Sequence, residues 1–179
     1  MRFDRSVSYI HEQMTPVLEH VDQAGVERAV DLFMNRPRVF VYGTGRSGLV
    51  ARAFAIRLVH LGFQTFVIGE TITAPVHKDD LVVLVSGSGE TIPVAMTADI
   101  AQQLGAQIVS VTADPVSHIG RAADVLLHLD VANGDGDLAP LGTLFEACAW
   151  VVLDGIIAEL MARTGEGEDD MRERHATLE

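Results

Sequence analysis

Two Gly/Ser turns, Gly43-Thr44-Gly45-Arg46-Ser47-Gly48 and Ser86-Gly87-Ser88-Gly89-Glu90-Thr91, each follow a short apolar run and precede a stretch of helical periodicity. In that arrangement helix N-terminal amides and nearby hydroxyls converge on a phosphate without needing a lysine. One such turn constrains little, whereas two within an alternating chain constrain the whole fold. Residues 38–42, 65–68, 81–85, 107–112 and 125–129 read as strands, and helices over 47–61 and 92–104 stop at Gly62 and Gly105. Strands that are apolar throughout belong to a parallel sheet covered on both faces. The expected class is therefore α/β, a three-layer α/β/α sandwich on a five-stranded parallel sheet.

Around this core, apolar positions from Val7 to Phe33 recur at helical spacing, with Pro16 and Gly25 as expected interruptions. After a Gly/Asp-rich loop over 133–137, a helix over 144–161 is apolar around its whole circumference and is expected to help bury a subunit interface. The acidic stretch 165–170 reads as a solvated linker. With 179 residues and 48% hydrophobic content, the chain reads as one domain: N-terminal helices over 1–35, an α/β core over 36–164 and a tail over 165–179.

A formal charge of −12 argues against nucleic acid and anionic membrane surfaces, which both require a basic footprint. A phosphorylated ligand must then be held by local donors. The lone Cys148 excludes an internal disulfide and is read as a core residue. The polar N-terminus lacks an apolar signal core and no long uncharged apolar run is present, so the expected location is the cytoplasm.

Ser47, Ser86, Ser88 and Thr91 are the candidate phosphate ligands, with Arg46 as a supplementary charge; Gly45, Glu70, Thr71 and Thr73 are candidate sugar contacts. The alternative reading of Gly43-x-Gly45-x-x-Gly48, with Glu70 near the end of the next strand, is a dinucleotide fingerprint. The second serine turn and the lack of chain for a separate substrate domain weigh against it. His60, toward the end of the first core helix, either reaches the site or helps terminate the helix. His77, His118 and His128 lack a supporting constellation. No Cys/His/carboxylate group has metal-ligand spacing, so neither a metal nor another cofactor is expected. Thr143-x-x-Glu146 has the spacing of a capping box, in which the glutamate only satisfies a backbone amide.

The two serine turns resemble those of sugar isomerase (SIS) domains. Arg57-Leu58-Val59-His60-Leu61-Gly62-Phe63, Gly69-Glu70-Thr71, Leu141-Gly142-Thr143-Leu144-Phe145-Glu146 and Arg174-His175-Ala176-Thr177-Leu178-Glu179 extend the likeness to the 6-phospho-3-hexuloisomerase family across nearly the whole chain. The resemblance implies a flavodoxin-like or Rossmann-like sheet. It also implies interconversion of 3-hexulose 6-phosphate and fructose 6-phosphate, the isomerase step of formaldehyde assimilation by the ribulose monophosphate route. Glu146 is then the base that removes the C2 proton to give a cis-enediol, and His175 opens the furanose ring in the reverse direction or moves a proton between O2 and O3. A homo-oligomer, expected to be a tetramer, would let the C-terminal segment bring His175 to a neighbouring subunit's site. The competing readings are another phosphosugar aldose-ketose isomerase and a non-catalytic sugar-phosphate-binding module. A sensor of the latter kind needs the serine turns but neither Glu146 nor His175, and ordinarily an output module for which this chain has no room.

Overall fold

The computed structural model describes residues 1–132 and 134–177. Asn133 of the expected Gly/Asp loop and the last two residues of the C-terminal motif, Leu178 and Glu179, lie outside the described residues. The elements run α1 (Arg2–Glu19), α2 (Gln23–Asn35), β1 (Val39–Gly43), α3 (Gly45–His60), β2 (Thr65–Val67) and β3 (Leu81–Val85). There follow α4 (Ile92–Leu104), β4 (Gln107–Thr112), α5 (His118–Ala122), β5 (Val125–His128), α6 (Thr143–Thr164) and α7 (Glu168–Glu173).

All five strands are parallel, in the order β2-β1-β3-β4-β5. Alternate side chains serve opposite faces, which is why the strands read as unbroken apolar runs. Val39, Val41, Leu81, Val83 and Val85 pack with Phe33, Phe54, Leu58 and the inner side of α6, whereas Phe40, Val82, Leu84 and Ile108 pack with Val94, Ala98 and Ile119 of α4 and α5. Because the chain winds outward in both directions from the β1–β3 pair, the crevice at the carboxyl ends of these two strands is the topological switch point. Gly43 and Val85 are register partners there, so the two serine turns leave the sheet side by side.

Several sequence expectations are corrected. Pro16 and Gly25 lie inside α1 and α2 rather than between them; the break falls at residues 20–22, where the Asp22 side chain caps α2 by accepting from the Ala24 amide at 3.1 Å. α5 was not anticipated; it is one short turn of helix capped by Ser117, whose hydroxyl accepts from the Gly120 amide. The acidic stretch is not all linker, because Glu168–Glu173 is helical. The Gly167 amide donates to Asp170 at 2.7 Å, Glu168 pairs with Arg172, and Met171 is buried in the core. The apolar circumference of α6 is explained largely within the chain. Leu144, Phe145, Cys148, Val152, Leu153, Ile156 and Leu160 are buried in the core that α2 and α3 share, leaving Trp150 and Val151 as its large exposed apolar residues.

Candidate functional site

Helices α3, α4 and α6 start around the switch point, and their N-cap residues Thr44, Thr91 and Gly142 make no side-chain capping hydrogen bond. The starts of α2 and α5, by contrast, are closed by the side chains of Asp22 and Ser117. The first amides of a helix need an acceptor and carry the positive end of its dipole. Three uncapped starts at one crevice are therefore a set of neutral donors for an anion.

The glycines of both turns answer to contacts. A Cβ on Gly48 would stand 2.6 Å from the Gly43 carbonyl oxygen, and one on Gly43 would stand 2.8 Å from that of Val85. The Gly43-x-Gly45-x-x-Gly48 spacing thus reports close packing of turn, strand and helix here. In the second turn Gly89 has φ +65° and a Cβ there would fall 1.9 Å from Ser117 Oγ. The back of this turn is bonded to the β4–α5 connection: Thr112 Oγ1 donates to Gly87 O, the Ile119 amide to Gly89 O, and the His118 amide to Glu90 at 2.7 Å. Ser86 is buried, with its hydroxyl 3.2 Å from both Thr91 Oγ1 and the Gly89 amide; Ser88 is exposed and accepts from the Glu90 amide at 3.3 Å.

Glu146 joins this group through the third helix start. Phe145 lies against Gly87, where an added Cβ would meet its ring at 3.1 Å, so the first turn of α6 sits over the second serine turn. The Glu146 side chain is 11% exposed, and its carboxylate forms an ion pair with Nε of Arg46, from the first serine turn. The capping-box reading fails: the N-cap is Gly142, and Thr143 Oγ1 donates to Pro140 O at 2.7 Å instead. Glu146 is thus committed to Arg46 and not to a helix end. A cleft of about 450 Å³ is lined by the second serine turn and the start of α6, with Gly87, Ser88, Leu141, Gly142 and Phe145 on its wall. Arg46 and Glu146 themselves line a second, more apolar groove of about 490 Å³, walled by Ile10 and Met14 of α1, Leu49 of α3 and Trp150 of α6. Leu141, with φ +53° and a fully exposed side chain, is the non-glycine residue in left-handed backbone at the rim. The sequence placed Leu141 in the family-like motif but did not mark its backbone conformation or the uncapped start of α6.

The remaining candidates separate from this centre. Gly45 has φ +56° and opens α3 beside Arg46. Glu70 pairs with Arg52 of α3, and Thr73 donates to the Val67 and Glu70 carbonyls, so both organise the loop after β2; Thr71 is exposed on the same loop. His60 is buried at the opposite end of α3, about 20 Å along the helix from Ser47 at 1.5 Å per residue. His175 stacks on it with ring centroids 5.0 Å apart, so within one chain it is remote from Glu146. His77, His118 and His128 contact Arg38, Asp99 and the Ala113 carbonyl respectively.

Cys148, two residues beyond Glu146, is fully buried, and burial pushes its thiol up to about 11. A thiol whose folded pKa exceeds its unfolded value contributes stability below about 9 that is lost as pH rises toward 11. We expect Cys148→Ala to remove part of the alkaline loss of Tm between those two pH values, measured by thermal melts of both proteins. Iodoacetamide should label the native protein at pH 8 far more slowly than the urea-unfolded chain.

Residues 32–149 match the SIS domain family. The chain belongs to the SIS family. Among relatives of this SIS protein, the 3-hexulose-6-phosphate isomerase of Bacillus subtilis is 33% identical over 185 residues, covering 100% of both chains. That of Methanocaldococcus jannaschii is 36% identical over 153 residues, covering 86% of this chain and 83% of its own. A solved structure from Methanococcus jannaschii, whose description infers 3-hexulose-6-phosphate isomerase function, superposes with a TM-score of 0.90 at 32% identity, covering 98% of this chain and 99% of that one. The Vibrio vulnificus NanR protein complexed with ManNAc-6P superposes with a TM-score of 0.79 at 22% identity, over 95% of this chain and 66% of that one, which shows the shared fold alone.

Proposed function

We propose that this SIS protein isomerises 3-hexulose 6-phosphate to fructose 6-phosphate, the step that follows formaldehyde fixation in the ribulose monophosphate pathway. The observation that carries this reading is the placement of a nearly buried carboxylate, Glu146, against two serine turns at the switch point of the sheet. The full-length relatives named for that reaction support the substrate.

In the proposed mechanism Ser47, Ser86, Ser88, Thr91 and the uncapped helix amides hold the C6 phosphate. Glu146 takes the proton from C2, acidified by the C3 carbonyl, giving a cis-enediolate. Proton return to C3 and transfer of the O2 proton to O3 leave the carbonyl at C2 and a hydroxyl on C3. Helix-start amides beside the crevice are placed to stabilise negative charge on oxygen. The assay is direct: purified protein is mixed with enzymatically prepared 3-hexulose 6-phosphate, and fructose 6-phosphate is followed with a coupled dehydrogenase. Tight binding of the sugar phosphate without turnover would favour the sensor reading instead.

We also propose a cytoplasmic homo-oligomer, with a tetramer as the expected form, in which the tail brings His175 to a neighbouring subunit's Glu146; His60, stacked on it, would accompany it. The single-domain division at 35 and 164 is part of the same reading. Two features favour the trans arrangement: His175 stacks on His60 at one end of α3 while Glu146 pairs with Arg46 at the other, and the half-exposed Trp150 lies beside His60 and His175. Mixing separately inactive Glu146→Gln and His175→Ala proteins under subunit exchange should restore activity at up to about a quarter of the sites, as random pairing across symmetric interfaces requires. No restoration would place both residues in the same chain's site or remove His175 from it.

A further inference from the structure

Arg46 contacts the Glu146 carboxylate through Nε, and its two Nη groups donate to no other described residue. Its side chain is 64% exposed and stands in the first turn of α3, next to Ser47. A guanidinium presents its N–H donors along the edges of its plane, and one held at one edge is preorganised at the other. We propose that Arg46 is a two-edged clamp: Nε holds Glu146 while the Nη edge binds a substrate phosphate oxygen, fixing the spacing between the phosphate and the base. This rests on the phosphosugar reading above and extends it by assigning Arg46 a coupling role.

Three features point to a bridge and not to an exchange of partners. The bond to Glu146 engages the nitrogen closest to the Arg46 backbone, leaving the tip of the side chain for a ligand. Glu146, at 11% exposure, would be left without its cation if Arg46 swung away to an arriving phosphate. The uncapped starts of α3 and α4 lie beside Arg46, so an anion on their amides falls near the open Nη edge. The consequence for catalysis is positional. A substrate whose phosphate is clamped at one end of Arg46 meets the carboxylate clamped at the other, so chain length between phosphate and reacting carbon is selected.

The test is inorganic phosphate binding by calorimetry, with the cost of Arg46→Met measured in three backgrounds. With wild-type Glu146, and in Glu146→Gln, which retains an acceptor for Nε, the cost should be about tenfold or more in Kd, as for loss of a charge-assisted bond. In Glu146→Ala the guanidinium is no longer held and the cost should shrink to about twofold. Glu146→Leu provides the same comparison at near-native volume should the alanine variant fail to fold. Equal cost in all backgrounds, or a larger cost in Glu146→Ala, would overturn the bridge; so would a wild-type protein that does not bind phosphate. Turnover of 3-hexulose 6-phosphate by the same wild-type preparation reports separately on the isomerase reading.

Discussion

Glu146→Gln should lower turnover of 3-hexulose 6-phosphate by about 10²- to 10⁴-fold, the range that a positioned general base contributes, while the protein still folds and still binds the sugar phosphate. Glutamine preserves the volume and can accept from Arg46 Nε, so what is removed is the capacity to take a proton. The stability change should be small. Arg46 is mostly exposed, and an ion pair with one partner in water is worth about 0.2–1 kcal/mol. The discriminating measurement is kcat and KM together. A fall confined to kcat identifies a group that acts in the transition state, whereas a rise confined to KM would make Glu146 a binding residue. Turnover within about threefold of wild type would remove Glu146 from the chemistry altogether, because general-base catalysis cannot be lost so cheaply.

Gly89→Ala should disable the second serine turn and destabilise the protein together. The substitution places a side chain at φ +65° and drives Cβ to 1.9 Å from Ser117 Oγ. Left-handed backbone at a non-glycine costs about 1–3 kcal/mol, and forcing a buried neighbour aside adds about 1–3 kcal/mol. Ser117 cannot yield freely. It is 1% exposed, donates to Asp114 O at 2.6 Å and caps α5. For a chain of this length the expected fall in Tm is roughly 4–24 °C. Phosphosugar affinity should fall as well, because the Gly89 amide is bonded to Ser86 Oγ and the displaced turn carries Ser88 with it. A variant with native Tm and native affinity would show that the turn absorbs the extra atom, contrary to the close packing at this point.

The strands and the main helices were readable because their signals are local. Leu81–Val85, Ile92–Leu104 and Gln107–Thr112 match their apolar runs and glycine stops residue for residue. The errors arose where a local rule met a tertiary contact. Gly25 and Pro16 are breakers in isolation, yet both are tolerated within helices, and the Asp22 cap decides where the chain turns. Thr143-x-x-Glu146 satisfies the capping-box spacing, but Arg46, a hundred residues earlier in the chain, takes the carboxylate. The apolar circumference of α6, read as helping to bury a subunit interface, is for the most part covered by the chain's own helices, and Trp150 and Val151 are what it leaves exposed for such a face.

Periodicity, turn chemistry and composition thus dictated a parallel α/β sheet, two anion-competent turns and a list of candidate side chains. They act over a few residues, which is the range over which backbone sterics and hydrogen bonding operate. Which candidates meet was decided by sheet order. Placing β1 beside β3 sets the two turns against each other, and packing α6 across them brings Glu146 to Arg46 while leaving His60 and His175 at the far end of α3. Contacts of that kind join residues distant in sequence and depend on how whole elements bury their apolar faces, so they emerge only when the chain has packed.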